Sequence, residues 1–457
     1  MAETEAGAPA GSALGGGPTV DVSEAIDAAP WSSHQKLVLV LATLALVLDG
    51  FDTLALGFAA PALLPDLGVT KAALAPVLAV GLIGMTIGAA LGGLIGDRLG
   101  RKVALTGSVI LFGTMTCAMA LADDLVMLAV FRFIAGFGLG GALPNGAALV
   151  AEFTPFRRRG IAVTANLIGI PLGGVVGGFV AAAMLESVGW RGLFAIAGAL
   201  PLVLAVFMLF FLPESPRFLA TRSPGSPALR RTLRKMNIVV PDGTTFVERS
   251  PVKVSSPGLK GLFAPALVRD TLALWLAFFA CLMTVYMSFS WLPTMLSEAG
   301  YSLQEASSGL LAFNVGSIVA AIAGAWLIGF WGSKIPMVVM AFGGAFGAIL
   351  LMIFPITPSM PTSWLILAMV YQGACIVGLQ ILLYLLATNV YPTEVRSTGV
   401  GASAGVGRIG AVLSSFIGAA ALAAAGDGGF YLVAAIAMVA AALGVALVSR
   451  HIEPRPS

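Results

Sequence analysis

The fold is decided by Gly93-Leu94-Ile95-Gly96-Asp97-Arg98-Leu99-Gly100-Arg101-Lys102, a glycine-bounded stretch that carries one acidic and three basic residues. An apolar run lies on each side of it, and each run is long enough to cross a membrane as a helix. A carboxylate here can accept hydrogen bonds from free N–H groups at the start of a neighbouring helix, and arginines can bridge helices. The stretch therefore predicts a turn at a membrane surface that ties helices together.

The composition of the whole chain agrees with a membrane protein. Of its 457 residues, 58% are hydrophobic and only 10% are charged, and the mean hydropathy is +0.97, whereas soluble domains carry about 25% charged residues. The two histidines and three widely spaced cysteines form no pattern for a metal, a disulfide or a redox centre. A net charge of +3 is too small to suggest nucleic acid as a partner. We expect no metal and no cofactor, and the lack of a nucleophile–base pair predicts that the protein is not an enzyme.

Apolar segments repeat along the chain in two sets of six, separated by a polar insertion. This pattern predicts an all-α integral membrane protein with twelve transmembrane helices in two six-helix pseudo-repeats. The predicted domains are a disordered cytoplasmic tail (1–33), an N-terminal bundle (34–212), a cytoplasmic linker with a short amphipathic helix (213–269), a C-terminal bundle (270–450) and a cytoplasmic tail (451–457). The predicted spans are Lys36–Ala60, Ala72–Ile95, Val103–Ala122, Leu125–Ala151, Gly160–Glu186, Gly192–Leu212, Thr271–Leu296, Leu303–Phe330, Ile335–Phe354, Ser363–Val390, Ser397–Ala424 and Gly428–Ser449.

Lysine and arginine are distributed very unequally between the predicted loops. With both termini on one side, that side holds 21 of the 25 basic residues, and the other holds only Lys71 and Arg191. Cytoplasmic loops of membrane proteins carry such an excess, so we expect both termini in the cytoplasm. The amphipathic helix predicted at 228–238 would lie on the membrane surface, attracted to anionic headgroups.

A short loop motif recurs in the two halves. Pro-x-x-x-Arg follows the fourth predicted span at 155–159 and the tenth at 392–396. Matching loops after corresponding spans indicate a transporter built by duplication, which binds its substrate between the halves.

Four charged residues lie deep within the predicted spans, namely Asp49, Asp52, Arg132 and Arg408. At about 1.5 Å of helix per residue, each lies roughly 12 to 18 Å from the membrane surface nearest in sequence. An ionised side chain at this depth costs on the order of 3 kcal/mol, so the four must pair or face a wet cavity. Asp49 and Asp52 are three residues apart and share one helical face. Two interpretations stay open: structural salt bridges, or a functional site whose acids and bases exchange partners.

The glycine-bounded stretch matches the G-x-x-x-D-R-x-G-R-[RK] signature of the major facilitator superfamily, which the chain resembles over nearly its whole length after the N-terminal tail. The resemblance implies that this loop is a conformational gate rather than a substrate site. The equivalent loop of the second half, at 329–334, lacks the acid and most of the bases, so a symmetrical second gate is in doubt. The gate residues expected in the two halves are Gly93, Asp97, Arg98, Gly100, Arg101, Lys102, Glu152, Arg159, Glu394 and Arg396.

Within the superfamily, the chain resembles the aromatic acid:proton symporters. Three stretches carry this resemblance: Asp49-Gly50-Phe51-Asp52, which looks like the family's D-G-x-D motif, the fourth span from Arg132 to Asn145, and Gly405-Val406-Gly407-Arg408. Members of that family import benzoate, hydroxybenzoates, protocatechuate, phenylpropionates or muconate with protons, for use in catabolism. The resemblance implies a transporter in the cell (inner) membrane whose partners are a small aromatic carboxylate, a proton and the lipid bilayer, and we expect a monomer.

A planar carboxylate substrate needs a fixed cation, and a guanidinium group offers two parallel hydrogen bonds. We expect Arg408 to bind this carboxylate, with Arg132 as the second choice, and Asp49 and Asp52 to couple the proton. The ring needs apolar walls and its hydroxyls need amide partners, although each such residue also serves ordinary helix packing. The candidates are Phe51, Asn145, Phe289, Phe313, Gln372 and Tyr384.

These residues predict proton-coupled uptake by alternating access. Asp52, with or without Asp49, takes a proton from outside and frees an arginine, which the substrate carboxylate then occupies. Three alternatives stay open: an antiporter that exports drugs or other metabolites, a transporter for a non-aromatic acid such as muconate, and a sensor that binds an aromatic acid without transport.

Overall fold

The computed structural model describes residues 19–223, 225–238, 245–247, 258–355, 357–392 and 395–454. Helices dominate these residues, with one short parallel pair of strands beside them. The elements in chain order are β1 (Thr19–Asp21), α1 (Val22–Ala28), α2 (Ser33–Asp66), α3 (Lys71–Leu99), α4 (Arg101–Met119), α5 (Leu125–Phe153), α6 (Phe156–Leu167), α7 (Gly169–Phe211), α8 (Pro216–Arg222), α9 (Pro227–Lys235), β2 (Thr245–Val247), α10 (Gly258–Gly261), α11 (Val268–Glu298), α12 (Leu303–Trp331), α13 (Lys334–Ile353), α14 (Thr362–Val390) and α15 (Arg396–Leu447).

Ten helical stretches in the described part of the chain are long and apolar enough to cross a membrane, and two of them are of double length. The first, α6 with α7, is interrupted at Gly189, whose φ of 67° takes the chain out of the helical path. The second, α15, is interrupted at Ala425 and Gly426. A positive φ suits glycine because no side chain adds strain. The all-α membrane fold is therefore confirmed, whereas the count of twelve spans stays a prediction that the two breaks are consistent with.

The membrane helices form two bundles, α2–α7 and α11–α15, which meet where α2 contacts α11, α3 contacts α15 and α7 contacts α12. The terminal end of the molecule is defined here as the end that carries the described parts of both termini. At the opposite end, Lys71 Nζ donates to both carboxylate oxygens of Glu298 at 2.7 Å, across the two bundles. Gly57 of α2 lies so close to the Phe289 carbonyl of α11 that a Cβ there would collide with it. The bundles are therefore tightly closed against each other at the opposite end.

At the terminal end the bundles stand apart. Although α3 and α15 contact each other across the bundles, no atom of the described residues lies within 4 Å of the place that a Cβ would take at Gly93 of α3 or at Gly401 and Gly405 of α15. The side chain of Asp97, at the end of α3, is 62% exposed. The structure thus opens toward the terminal end.

The central insertion packs on protein, in contrast to the expectation that its amphipathic helix lies on the membrane surface. The helix is present as α9, and the apolar residues Leu229, Leu233 and Met236 are buried. They share one hydrophobic cluster with Val22 and Ile26 of α1. The apolar face is therefore already covered by the chain itself, which leaves the basic face exposed.

The N-terminal segment also differs from the disordered tail that was expected. Residues 1–18 lie outside the described part of the chain, but 19–33 form β1, α1 and the start of α2. Asp21 caps α1 by accepting hydrogen bonds from the backbone N–H groups of Ser23 and Glu24. Val22 and Ile26, one turn apart on this short helix, are buried in the same hydrophobic cluster as the apolar face of α9, and that burial stabilises the segment.

Gly173 tests the close packing between α2 and α7. A Cβ at this position would collide with the Val47 carbonyl and with backbone atoms of Gly50 and Phe51. We expect Gly173→Ala to push the helices apart and to lower the free energy of unfolding by about 1–3 kcal/mol. Gly107→Ala is the matched control, because Gly107 is also helical but has open space around it. Thermal unfolding of the detergent-purified variants measures the difference, and equal melting temperatures would contradict the packing.

Candidate functional site

The centre of the N-terminal bundle holds a buried ion pair between α2 and α5. Arg132 Nη1 donates to Asp52 Oδ1 at 2.8 Å, and the two side chains are 7% and 0% exposed. The same guanidinium donates to the main-chain carbonyls of Asp52 at 3.3 Å and Thr53 at 3.0 Å. Thr116 of α4 donates its hydroxyl to the other carboxylate oxygen of Asp52. Three helices therefore meet at one carboxylate, and both of its oxygens are hydrogen-bonded.

The local sequence explains how a long cationic side chain fits here. Asp124 caps α5 by accepting a hydrogen bond from Met127 N at 2.7 Å, and Arg132 follows about two turns later. On the facing helix α3, a Cβ at Gly81 would lie 2.9 Å from Arg132 Cγ. The absence of a side chain at Gly81 thus leaves the space that the arginine stem occupies.

Asp49 and Arg408 come from different bundles and lie within electrostatic reach of each other. Asp49 is 5% exposed and accepts one hydrogen bond, from Thr53 Oγ1 at 3.3 Å. Among the residues that the structure describes, no cationic nitrogen lies within 4.0 Å of a carboxylate oxygen of Asp49, so this residue forms no ion pair with them. Arg408 is half-buried, and its Nη1 is buried without a hydrogen-bond partner in the described chain. Arg132 is therefore engaged through both of its terminal nitrogens, although its Nε has no partner in the described chain, whereas Arg408 has a buried terminal donor available for an anion.

Two tyrosines of the C-terminal bundle lie near Arg408. The phenols of Tyr286 and Tyr384 both lie within electrostatic reach of its guanidinium. Tyr384 remains 37% exposed, so the space beside the cation is accessible. An unpartnered cation next to aromatic rings fits an aromatic carboxylate. The aromatic wall consists of three edge-on pairs, with centroid distances of 5.9 Å for Tyr286–Phe289, 6.2 Å for Phe289–Phe313 and 5.1 Å for Phe278–Tyr384.

Two of the predicted substrate residues, Phe51 and Asn145, lie within the N-terminal bundle, whereas Gln372 lies in the C-terminal bundle. Phe51 is fully buried and packs against Gly177 of α7, inside the N-terminal bundle. Asn145 donates to the Gly92 carbonyl at 2.8 Å and joins α5 to α3. Gln372 is buried inside the C-terminal bundle, where it lines a small cavity together with Phe313 of the aromatic wall. Phe51 and Asn145 thus contribute to the packing between helices of the N-terminal bundle.

The predicted gate loop forms an ionic network at the terminal end of the N-terminal bundle. Arg101 Nη2 donates to Asp97 Oδ1 at 2.5 Å, and Arg101 Nε lies 3.5 Å from Glu152 Oε1. Lys102 N donates to Glu214 Oε1 at 3.1 Å. The network thus holds α3, α4, α5 and the start of the linker together within one bundle.

The remaining predicted gate residues stay within their own halves of the chain. Arg159 pairs with Asp27 of α1 at 3.5 Å, and Arg396 donates to the Tyr391 carbonyl at 3.2 Å. Glu394 lies outside the described residues. The other three lie in α3 or at the turn that follows it: Gly93, Arg98 and Gly100.

In the C-terminal bundle, the turn between α12 and α13 is held by the chain's own C-terminal segment. Ser333 N donates to the Ile452 carbonyl, and Ile452 N donates to Ser333 Oγ, both at 2.9 Å. Ser449 N donates to Asp270 Oδ1 at 2.6 Å. His451 Nδ1 lies 3.0 Å from Ser333 Oγ, and burial lowers the pKa of this imidazole. A hydrogen-bonded strap therefore stands where the first half has ion pairs, which explains why this loop needs no acid.

Known proteins share this architecture. A family model of the Major Facilitator Superfamily matches residues 42–415 and 274–457, which together take in both bundles. The chain belongs to the Major Facilitator Superfamily. It is 36% identical to the gallate transporter of Pseudomonas putida over 403 aligned residues, and this alignment covers 88% of this chain and 89% of that relative. It is 37% identical over 414 residues to the 4-hydroxybenzoate transporter PcaK of Pseudomonas aeruginosa, with 88% and 90% covered.

Solved transporter structures share the fold. The D-xylose-proton symporter matches with a TM-score of 0.71 at 20% identity, over 90% of this chain and 97% of that one. The inward open conformation of the xylose transporter XylE from E. coli matches with a TM-score of 0.67 at 18% identity, over 89% and 95%. Similarity at this level of identity concerns the fold and not the cargo.

Membership in the superfamily confirms the family predicted from the glycine-bounded stretch. The resemblance to aromatic acid:proton symporters is supported by relatives named for gallate and 4-hydroxybenzoate. Because the superfamily and these relatives are transporters, the prediction that the chain is not an enzyme is also confirmed.

Sequence reasoning missed three groups that complete these sites. Thr116 bonds Asp52, Tyr286 lies beside Arg408, and Ser215 donates its hydroxyl to Glu152 in the gate network. A hydroxyl within an apolar helix is a weak signal, because serine and threonine also bond their own helix or a neighbour. Only the packing of helices distant in sequence selects these three.

The ion pair between Arg132 and Asp52 predicts a non-additive double-mutant result. Arg132→Met leaves a buried carboxylate without its partner, and we expect a loss of about 3–5 kcal/mol in the free energy of unfolding. Adding Asp52→Asn to this variant should recover most of the loss, since no uncompensated charge then remains. Thermal unfolding of both single variants and the double variant completes the cycle. Single losses that simply add would show that the two residues are not coupled.

Proposed function

We propose that the protein imports a small aromatic carboxylate, such as a hydroxybenzoate, together with protons by alternating access. The observation that carries the proposal is the unpartnered Nη1 of Arg408, which lies beside the aromatic wall where the two bundles meet. A guanidinium binds a planar carboxylate through two parallel hydrogen bonds, and aromatic side chains accept a substrate ring edge-on. The relatives that carry gallate and 4-hydroxybenzoate support a phenolic acid as the cargo.

The charges of the site favour an anionic cargo. Arg132 is neutralised by Asp52, whereas Arg408 has no direct ion-pair partner among the described residues. Once an acid of the site takes up a proton, a guanidinium is left as the net charge, and it attracts a carboxylate. A cationic drug would be repelled by the same group, and a non-aromatic acid would leave the aromatic wall without a ring to contact.

The shape of the molecule corresponds to one stage of the transport cycle. It is closed at the opposite end, where Lys71 bonds Glu298, and open at the terminal end. We place the terminal end in the cytoplasm, because the basic residues concentrate there, and the protein in the cell inner membrane. This conformation would then release cargo inward. A single chain encloses the cargo path between its two bundles, so we propose that the transporter works as a monomer.

Replacement of Arg408 tests the proposed carboxylate site. We expect Arg408→Gln to raise the concentration for half-maximal counterflow of 4-hydroxybenzoate at least about tenfold, because hydrogen bonds to a charged group contribute about 1.5–3 kcal/mol. Counterflow of labelled acid into preloaded proteoliposomes measures this concentration. Arg222→Gln is the control, since Arg222 is an exposed cation on α8, outside the membrane helices. Unchanged affinity in Arg408→Gln would exclude this residue as the carboxylate ligand.

A panel of unlabelled competitors separates the remaining functions. We expect 4-hydroxybenzoate, gallate and protocatechuate to compete more strongly than benzoate or muconate, because the favoured cargo combines a carboxylate, a ring and hydroxyl groups. Initial rates of counterflow in the same proteoliposomes give the order. Strongest competition by muconate would indicate a non-aromatic cargo, binding without flux would indicate a sensor, and counterflow of a cationic drug would indicate an exporter.

A further inference from the structure

The two aspartates of α2 lie about one turn apart but have different surroundings. Asp52 is fully buried, and its two carboxylate oxygens accept hydrogen bonds from Arg132 and Thr116. Asp49 is also buried, yet the only hydrogen bond it accepts in the described chain comes from Thr53 at 3.3 Å. The two carboxylates therefore differ in how well the protein stabilises their charge.

Arg132 is bound to α2 in a way that does not depend on cargo. In addition to its 2.8 Å bond to Asp52 Oδ1, it donates to the main-chain carbonyls of Asp52 and Thr53. A swing toward a cargo would break all three hydrogen bonds and leave a buried carboxylate without its cation. The close approach of Gly81 also restricts the arginine stem. The contacts of Arg132 and Thr116 favour the ionised form of Asp52 and hold the pair in place.

Asp49 has charges near it but none in direct contact. The groups that act on it are Arg408 from α15, Arg132 from α5 and Asp52 on its own helix, and the Tyr286 phenol of α11 lies within the same electrostatic range. Since Asp52 already neutralises Arg132, the counter-charge left for Asp49 is Arg408. Burial without a contacting cation favours the protonated form of a carboxyl group. A cargo carboxylate that occupies Arg408 removes this counter-charge and so promotes protonation of Asp49.

A charge balance gives the number of protons. Asp52 and Arg132 cancel each other in every state. In the empty site, ionised Asp49 balances Arg408, and in the loaded site the cargo carboxylate balances Arg408 while Asp49 carries a proton. Any other combination leaves a net charge near the middle of the membrane, which costs on the order of 3 kcal/mol.

We infer that Asp49 alone carries the coupling proton. Asp52 and Arg132 then form a permanently ionised structural pair, to which Thr116 donates a hydrogen bond. The inference rests on the proposed function and deepens it. One proton then accompanies one monocarboxylate, the proton bound as the O–H of Asp49 and the anion held by Arg408. Since the two charges cancel, transport is electroneutral: a pH gradient drives it, and a membrane potential does not.

Proteoliposomes that contain the full chain test this charge balance. Uptake of labelled 4-hydroxybenzoate is compared under an inwardly directed proton gradient and under an inside-negative potassium diffusion potential at equal pH. We expect the proton gradient to drive accumulation and the potential to leave the initial rate unchanged. Faster uptake under the potential would require a second proton, and slower uptake would mean that the anion moves without a proton. Either result overturns the inference.

Variants of the two clusters separate the proton carrier from the structural pair. Asparagine resembles a protonated carboxyl group, so Asp49→Asn should retain measurable counterflow but lose accumulation in response to a pH step. Thr116→Val should lower the melting temperature without shifting the pH profile of uptake, and Thr116→Ser should restore the melting temperature. Accumulation by Asp49→Asn after a pH step, or a shifted pH profile in Thr116→Val, would assign the proton to Asp52 instead.

Counterflow by the unmodified protein is measured first, so that the two proposals can fail separately. If no acid of the competitor panel exchanges, the proposed function fails and the inference fails with it. If 4-hydroxybenzoate exchanges but the membrane potential changes its uptake, the proposed function stands and only the assignment of the proton fails.

Discussion

The energetic cost of a charge inside the membrane governs this molecule. An unpaired ion at mid-membrane costs on the order of 3 kcal/mol, and the N-terminal bundle avoids that cost with the 2.8 Å pair of Asp52 and Arg132. The pair joins α2 to α5, and the Thr116 hydroxyl adds α4. Because Asp52 and Arg132 compensate each other's charge, our proposal assigns the proton and the anion to the two remaining central groups, Asp49 and Arg408.

The two halves of the duplicated chain use different chemistry at equivalent places. At the terminal end, Arg101 links Asp97 and Glu152 by ion pairs in the first half, whereas the second half uses hydrogen bonds between Ser333 and the C-terminal segment. In the centre, the N-terminal bundle supplies the acids and the C-terminal bundle supplies the aromatic wall and a free guanidinium donor. In the proposed mechanism, the N-terminal bundle would bind the proton and the C-terminal bundle would bind the cargo, with coupling across the interface between them.

Close approach of helices decides where the bundles can separate. At the opposite end, Gly57 and Gly178 leave no room for a Cβ against the facing bundle, so the backbones are in contact there. At the terminal end, Gly93 and Gly405 face open space. Small residues permit such backbone contacts in membrane proteins, where van der Waals packing drives helix association. Glycines that are open at the terminal end are thus available for an equivalent contact when that end closes.

The sequence by itself determined the all-α membrane class, the two-bundle architecture, the superfamily and the identity of four membrane charges. These features follow from the apolar length that a bilayer requires and from the cost of ions within it, and both are legible along one chain. Only the tertiary structure decided that Arg132 is engaged while Arg408 keeps a free donor, because both are single arginines in glycine-rich helices and their partners lie far away in sequence. It also placed Phe51 in helix packing, although this residue stands between the two acids in the sequence. It brought Thr116 to Asp52 from α4, a helix that contains no acidic residue. Side-chain partners depend on which helix faces pack together. The residue pattern within one span does not indicate which face of another helix lies against it.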